Sequence, residues 1–200
     1  MDFRFEIMTE VSINKQARLS QHFTLGELCK TSAKTQDGNI PSHVHIENLK
    51  RLCGWLEELR ERYNRNCAGV QTTPAPPNSG GEPSGQFYPP ESKEASDRIL
   101  PLSRGSQRGS EEPVIINSGY RSPEVNQKCG GARNSNHLTG CAVDIRCKDK
   151  AQAIRYGCIL LDIADGKKLD FDELILEKRG TTIWVHFAVR PKVNRRYVDF

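Results

Sequence analysis

Two hundred residues, 36% of them hydrophobic and with a mean hydropathy of −0.62, allow one domain plus a decoration and are lean for a chain that buries a sizeable core. No apolar run approaches the roughly 18 residues of a membrane-spanning helix, and the first twenty residues carry Asp2, Glu6 and Glu10 without an apolar stretch, which argues against a secretory signal. The net charge of +4, from 29 basic and 25 acidic residues, is too mild to argue for a nucleic-acid partner.

The leanness is local. Between positions 68 and 112, 45 residues include seven Pro, seven Ser and six Gly. Such a segment has little apolar surface to bury and reads as a disordered loop insert in an otherwise ordinary core. The seven cysteines are odd in number and contain no C-x-x-C pair, so reduced thiols are expected. Cys129, Cys141, Cys147 and Cys158 do not match a paired zinc-knuckle spacing either.

Residues 1–19 show no clear period and are expected to be loosely ordered. Thr24 followed by Glu27 is a capping-box pattern that starts a short helix at Leu25. Pro41 and Ser42 open a second helix of about 20 residues, with Leu49, Leu52, Cys53, Leu56, Leu59 and Tyr63 recurring on one face. After the insert, the apolar run at 113–117 reads as a buried strand. Ser122-Pro123 starts a helix that Gly130-Gly131 ends, and residues 142–146 read as a strand. Asp149 caps a helix with Ala151, Ile154, Cys158 and Leu161 on its expected apolar face. Residues 171–177 and 182–189 form a hairpin around a turn at 178–181. The basic stretch 190–196 reads most simply as a solvated tail, with an anionic-surface role as the weaker option. Helices first, then strands mixed with helices and a terminal hairpin, predict an α+β fold with a small, mainly antiparallel sheet and flanking helices.

His22, His43 and His45 fall among helix starts, where structural or solvent-facing roles are expected. His137 and Asp144 are different. They are seven apart, with Gly140 between them, and Asp144 sits between Val143 and Ile145 in an apolar strand. His186 lies in the apolar run Ile183-Trp184-Val185-His186-Phe187. A carboxylate or imidazole so placed must be paired, hydrogen-bonded or bound to a metal, and two His with one Asp is a donor set that Zn²⁺ accepts. A hydrogen-bonded core histidine is the competing reading, and spacing alone leaves the two about even.

Four motifs in order shift that balance: Ser118-Gly119-Tyr120-Arg121-Ser122; Ser135-x-His137-x-x-Gly140-x-Ala142-x-Asp144; Phe171-Asp172-Glu173-Leu174-Ile175-Leu176-Glu177; and Trp184-Val185-His186. Together with the opening residues 20–28, they resemble the zinc D-Ala-D-Ala carboxypeptidase/endopeptidase family, peptidase M15, in its phage-endolysin-like branch with the Hedgehog/DD-peptidase fold. The resemblance covers about residues 20–66 and 113–190 and leaves the insert outside. It implies a single peptidase domain at 20–200, interrupted by the insert at 68–112.

By that resemblance, His137, Asp144 and His186 hold one Zn²⁺ per chain. Arg121 stabilises an oxyanion or holds a substrate carboxylate, and Ser135 is either a substrate contact or a turn residue. Many family members carry an acid or a His three residues before the last ligand, where this chain has Ile183. The endolysin-like branch instead ends the preceding strand with a glutamate, which matches Glu177. If Glu177 pairs with Thr182, then Glu173 lies opposite His186 and is a rival base, while a one-residue slip brings Asp172 forward. Trp184 is a wall of the cleft or simply core, and Asn117, Tyr120 and Gln127 are placed near the cleft by position only. The implied activity is metal-assisted cleavage of a peptidoglycan stem peptide at a D-amino-acid bond. No nucleic acid or membrane insertion is expected, and a monomer is assumed. The absence of an export signal fits a phage- or prophage-encoded lysin made in the cytoplasm and acting on the wall after release. The alternative is a non-catalytic zinc-binding structural or interaction module of the same fold, which Ile183 keeps open.

Overall fold

In the computed structural model, residues 14–69 and 111–200 are described, the side chains of 66–69 excepted. The expectations for residues 1–13, and for most of the insert, lie outside the described residues. The first helix, α1 (Leu25–Leu28), is closed by the capping box: the Thr24 side chain accepts from the Glu27 amide, and the Glu27 carboxylate accepts from the Thr24 amide. Residues 15–19 are tied to it, since the Leu25 amide donates to the Ala17 carbonyl and the Gly26 amide to the Lys15 carbonyl. Helix α2 (His43–Gly69) is longer than expected, and the six apolar residues named for its core face are all buried.

Among the described residues, five strands form one sheet in the order β1-β2-β4-β3-β5. They are β1 (Ile116–Ser118), β2 (Ala142–Cys147), β3 (Glu173–Arg179), β4 (Thr182–Ala188) and β5 (Tyr197–Asp199). Only the β3–β5 pair is parallel. Helix α3 (Pro123–Lys128) starts at the Ser122 cap, and α4 (Lys150–Lys167) starts at the Asp149 cap, as the sequence indicates. The fold is therefore α+β, with a mostly antiparallel sheet flanked by helices.

The sheet has two unlike faces because side chains alternate along each strand. Val143, Ile145, Val185 and Phe187 point to the helices, where the Trp55 and Phe187 rings lie 5.1 Å apart. Asp144 and His186, one residue out of phase, share the other face as cross-strand partners. Burying an apolar face of this kind stabilises by about 25 cal/mol per Å² removed from water, which anchors the strands that carry the polar face.

Three expectations need correction. The buried face of α4 is Ala153, Tyr156, Ile159, Leu160 and Ile163; Ile154 and Cys158 are exposed. Polar Gln152 belongs to the buried face because it bonds Tyr63, Tyr156 and Glu112 there, and a purely apolar pattern misses it. The hairpin turns one step tighter than expected: Arg179 pairs with Thr182 across Gly180-Thr181, and Glu177 pairs with Trp184. Gly180, at φ +60°, supplies the left-handed residue of that two-residue loop. The third correction is the basic segment 190–196, which is largely exposed but is no free tail: Arg190, Arg195 and Arg196 pair with Asp172, Glu173 and Asp165. The chain then continues along β3 as β5, with Val193 at φ 54° and Arg196 at φ 52° shaping the path.

The insert is closed at its base. Asn64 and Glu112 exchange two hydrogen bonds, of 3.1 and 2.9 Å, so the chain leaves and re-enters the fold at adjacent points.

Candidate metal centre and active-site cleft

Asp144 is placed by the centre of the sheet, opposite His186 on β4 and Ser118 on β1. His137 comes from a short 3₁₀ turn, η1 (Asn136–Thr139), capped by the Ser135 hydroxyl, which accepts from the His137 amide at 3.3 Å. Gly140 then reverses the chain into β2 at φ +68°, and a Cβ there would lie 2.7 Å from the His45 carbonyl oxygen. The Gly bend thus folds His137 back onto the Asp144 carboxylate. His137 Nε2 lies 3.2 Å from Asp144 Oδ1, and His186 Nδ1 lies 3.0 Å from the same oxygen. The ligand atoms of these three buried residues all fall within 4.8 Å of one another.

The outer atoms fix the chemistry of the inner ones. His137 Nδ1 is 2.6 Å from the Gly119 carbonyl, which can only accept, so Nδ1 carries that ring's proton. His186 Nε2 is 3.2 Å from Glu173 Oε2, again an acceptor. When the rings are neutral, the remaining nitrogen of each offers a lone pair toward Asp144 Oδ1. Three acceptors converging on one buried point need a proton or a metal ion between them, and these three residues could hold a metal. The donor set of two imidazoles and a carboxylate, each steadied by an outer partner, fits a divalent metal such as zinc.

Without a metal, the same crowding shows in protonation. Burial alone raises the Asp144 pKa, but hydrogen bonds from His137 and His186 and the Arg121 charge outweigh it and hold the carboxyl well below the usual range. Burial lowers the His186 pKa, yet Asp144 and Glu173 overcome it and push the imidazole up to about 9. The His186 hydrogen bond, chiefly, holds Glu173 down at about 2.

Arg121 donates from Nε to Ser118 Oγ at 2.7 Å and from Nη2 to Asp144 Oδ2. It thus steadies the second oxygen of the shared carboxylate. Ser135, Asn136, Glu173, Glu177 and His186 line a cleft of about 280 Å³, joined by Arg190 and Arg195 from the C-terminal segment. Arg121 is not on that wall. Trp184 is not either, but its indole Nε1 donates to Glu177 Oε2 at 2.6 Å. Asn117 and Gln127 are exposed elsewhere, and Tyr120 is buried against His45, ring centroids 4.7 Å apart.

The tighter hairpin changes the bookkeeping of the acids. A shift of two residues keeps Glu173 and Glu177 on the face of His186, but Ile175, not Glu173, is now directly opposite it. Glu173 still reaches His186 diagonally. Asp172 is 0% exposed and turns away, bonded to Arg195 and Asn136. Ile183 sits on the helix-packed side, so an acid at that position would not reach the cleft in this register. Reading the sequence misses Asn136, Arg190 and Arg195. Asn136 adjoins His137, and that adjacency is the one signal that could have found it.

A buried His-Asp-His group, whose His186 lines a polar cleft on a mostly antiparallel sheet, forms a centre that could hold a metal ion. The family model described as Peptidase M15 matches residues 103–163, a span that holds Arg121, His137 and Asp144 and ends before Glu173 and His186. That match supports the peptidase M15 family for this chain, and with it a peptidase of the hydrolase class. No curated protein matches the chain.

Proposed function

We propose that the protein is a zinc-dependent peptidase that cuts peptidoglycan stem peptides at a bond involving a D-amino acid, as a carboxypeptidase or an endopeptidase, after release from the cytoplasm to the wall. The observation that carries this reading is the convergence of His137 Nε2, Asp144 Oδ1 and His186 Nδ1 beside a cleft that also holds Glu177. A zinc ion on these three residues supplies Lewis-acid chemistry for peptide hydrolysis.

The chain's own groups do the rest. Glu177 is the general base: the Trp184 indole fixes one of its oxygens and leaves the other to accept the proton of the attacking water. Arg121 lies off the cleft wall and holds Asp144 and Ser118 with two guanidinium nitrogens, so it steadies the Asp144 carboxylate; the family resemblance implies that its remaining nitrogen meets an oxyanion or a substrate carboxylate. Ser135, at the cleft wall, positions the peptide backbone. The test is incubation of purified, zinc-loaded protein with peptidoglycan, with released peptides read by mass. Chelator-sensitive release is expected. A folded, zinc-loaded protein that releases nothing overturns the enzyme reading in favour of a non-catalytic zinc module.

A further inference from the structure

Glu173 does not face the converging lone pairs. It meets the outer nitrogen of His186, with Oε2 3.2 Å from Nε2. Both of its oxygens are also held from elsewhere. Asn136 Nδ2 donates to Oε2 at 2.8 Å, and Arg195 Nη2 donates to Oε1. The same two residues hold the buried Asp172: Asn136 Nδ2 at 2.8 Å, and Arg195 through its amide at 3.1 Å, Nε at 3.0 Å and Nη2 at 2.8 Å. Arg190 closes the ring, 3.0 Å from both Asn136 Oδ1 and Asp172 Oδ2. The network therefore touches His186 through a carboxylate, and it touches His137 through its chain neighbour Asn136.

We propose that Glu173 is a positioning residue that fixes the His186 ring and tautomer, and that Arg195, carried in by the C-terminal segment, locks Glu173 in that role. Glu173 accepts a hydrogen bond from Nε2–H, which keeps the proton on that nitrogen and leaves the Nδ1 lone pair facing Asp144. Arg195 and Asn136 hold the carboxylate, at the cleft wall, against His186. The C-terminal segment thereby sets metal affinity without touching the metal ligands. This rests on the metal-site reading above and assigns the two cleft glutamates different tasks.

The experiment is competition between the full-length protein and a chromophoric chelator for Zn²⁺, run alongside peptidoglycan turnover at full zinc loading. Outer-partner substitutions at metal-binding histidines typically weaken binding about 10- to 100-fold, and that loss is expected for Glu173→Ala. Glu173→Gln keeps an acceptor oxygen and is expected to recover most of the affinity. Arg195→Ala, one contact further from the metal ligands, is expected to weaken binding by about 10-fold, the low end of that range, with Arg195→Lys intermediate. Glu177→Gln is expected to lose turnover while binding zinc as the wild type does. Wild-type affinity in Glu173→Ala overturns the proposal. So does a zinc-loaded Glu173→Gln as inactive as Glu177→Gln, because Glu173 is then the base. If Glu173→Ala does not fold, as judged by thermal unfolding, wild-type affinity in Arg195→Ala overturns it instead. Absence of zinc binding in the wild type overturns the metal-site reading itself, a result distinct from any loss confined to the variants.

Discussion

The η1–β2 side of the candidate metal centre and its β3–C-terminal side support their candidate ligands by different means. On the first, a backbone carbonyl, that of Gly119, holds His137, and Arg121 holds Asp144 from an adjacent loop. On the second, a side chain holds His186, and that side chain is held in turn by Arg195, whose own side chain is 49% exposed. Backbone support is rigid because the sheet and its packed core fix it. Support through two linked side chains, one at the surface, yields more readily to substitution, pH and salt. The centre thus joins a stiff half to an adjustable one.

Substitutions separate the two halves most sharply at their meeting point. Asp144→Ala removes the oxygen that both histidines share and leaves Arg121 without its carboxylate. Stoichiometric zinc binding is expected to vanish, as measured by metal content after gel filtration. Urea unfolding is expected to show a loss of about 3–5 kcal/mol, as for other broken buried ion pairs. Retained zinc at one per chain would show that the halves do not converge on Asp144.

Gly119→Ala probes the stiff half alone. A Cβ there would lie 2.2 Å from the Leu28 carbonyl oxygen, so backbone must move. The expected cost is about 1–3 kcal/mol by urea unfolding, with weakened zinc binding as the Gly119 carbonyl shifts from His137. A variant as stable as the wild type would mean that this segment is not rigid.

The adjustable half has a pH signature. Burial raises the Asp172 pKa, but bonds from Arg195 and Asn136 outweigh it, so the folded value lies below the ordinary 3.8. A depressed carboxyl stabilises the fold above its unfolded pKa, and that contribution is lost as pH falls through the folded one. The metal-free wild type is therefore expected to lose stability faster than Asp172→Asn as pH drops from about 5 to about 2, a comparison made by thermal unfolding. Parallel curves would remove Asp172 from the lock.

The smallest effect is expected where neither half is touched. Replacing residues 69–110 with a short Gly/Ser turn is expected to leave folding and zinc binding intact, because Asn64 and Glu112 already bring the ends together. Loss of the folded state would place the insert within the core.

The three candidate ligands are legible in the sequence, and the outer support of the adjustable half is not. Asp144 and His186 stand out because each interrupts an apolar strand, and Gly140 marks the bend that returns His137 to them. The adjustable half depends on distances no local pattern carries. Whether Glu173 lies opposite His186 or diagonal to it turns on the hairpin closing at Arg179–Thr182. Arg195 reaches Asp172 only because a three-residue parallel strand, β5, returns along β3, and two non-glycine residues of positive φ shape its approach. The α4 face was misread for a related reason. Gln152 is buried by its partners, and Ile154 and Cys158 are exposed despite their chemistry. Periodicity sees polarity and not pairing.

The central claim is that His137, Asp144 and His186 hold a metal that Glu177 uses to hydrolyse a peptide. Its most direct test is turnover of a defined stem peptide by wild type and Glu177→Gln at equal, full zinc occupancy. The expected result is a D-amino-acid-containing product from the wild type, abolished by chelator and restored by zinc. Glu177→Gln is expected to be slower by about 10²–10⁴-fold. Equal turnover in the two proteins, or none in the zinc-loaded wild type, would contradict it.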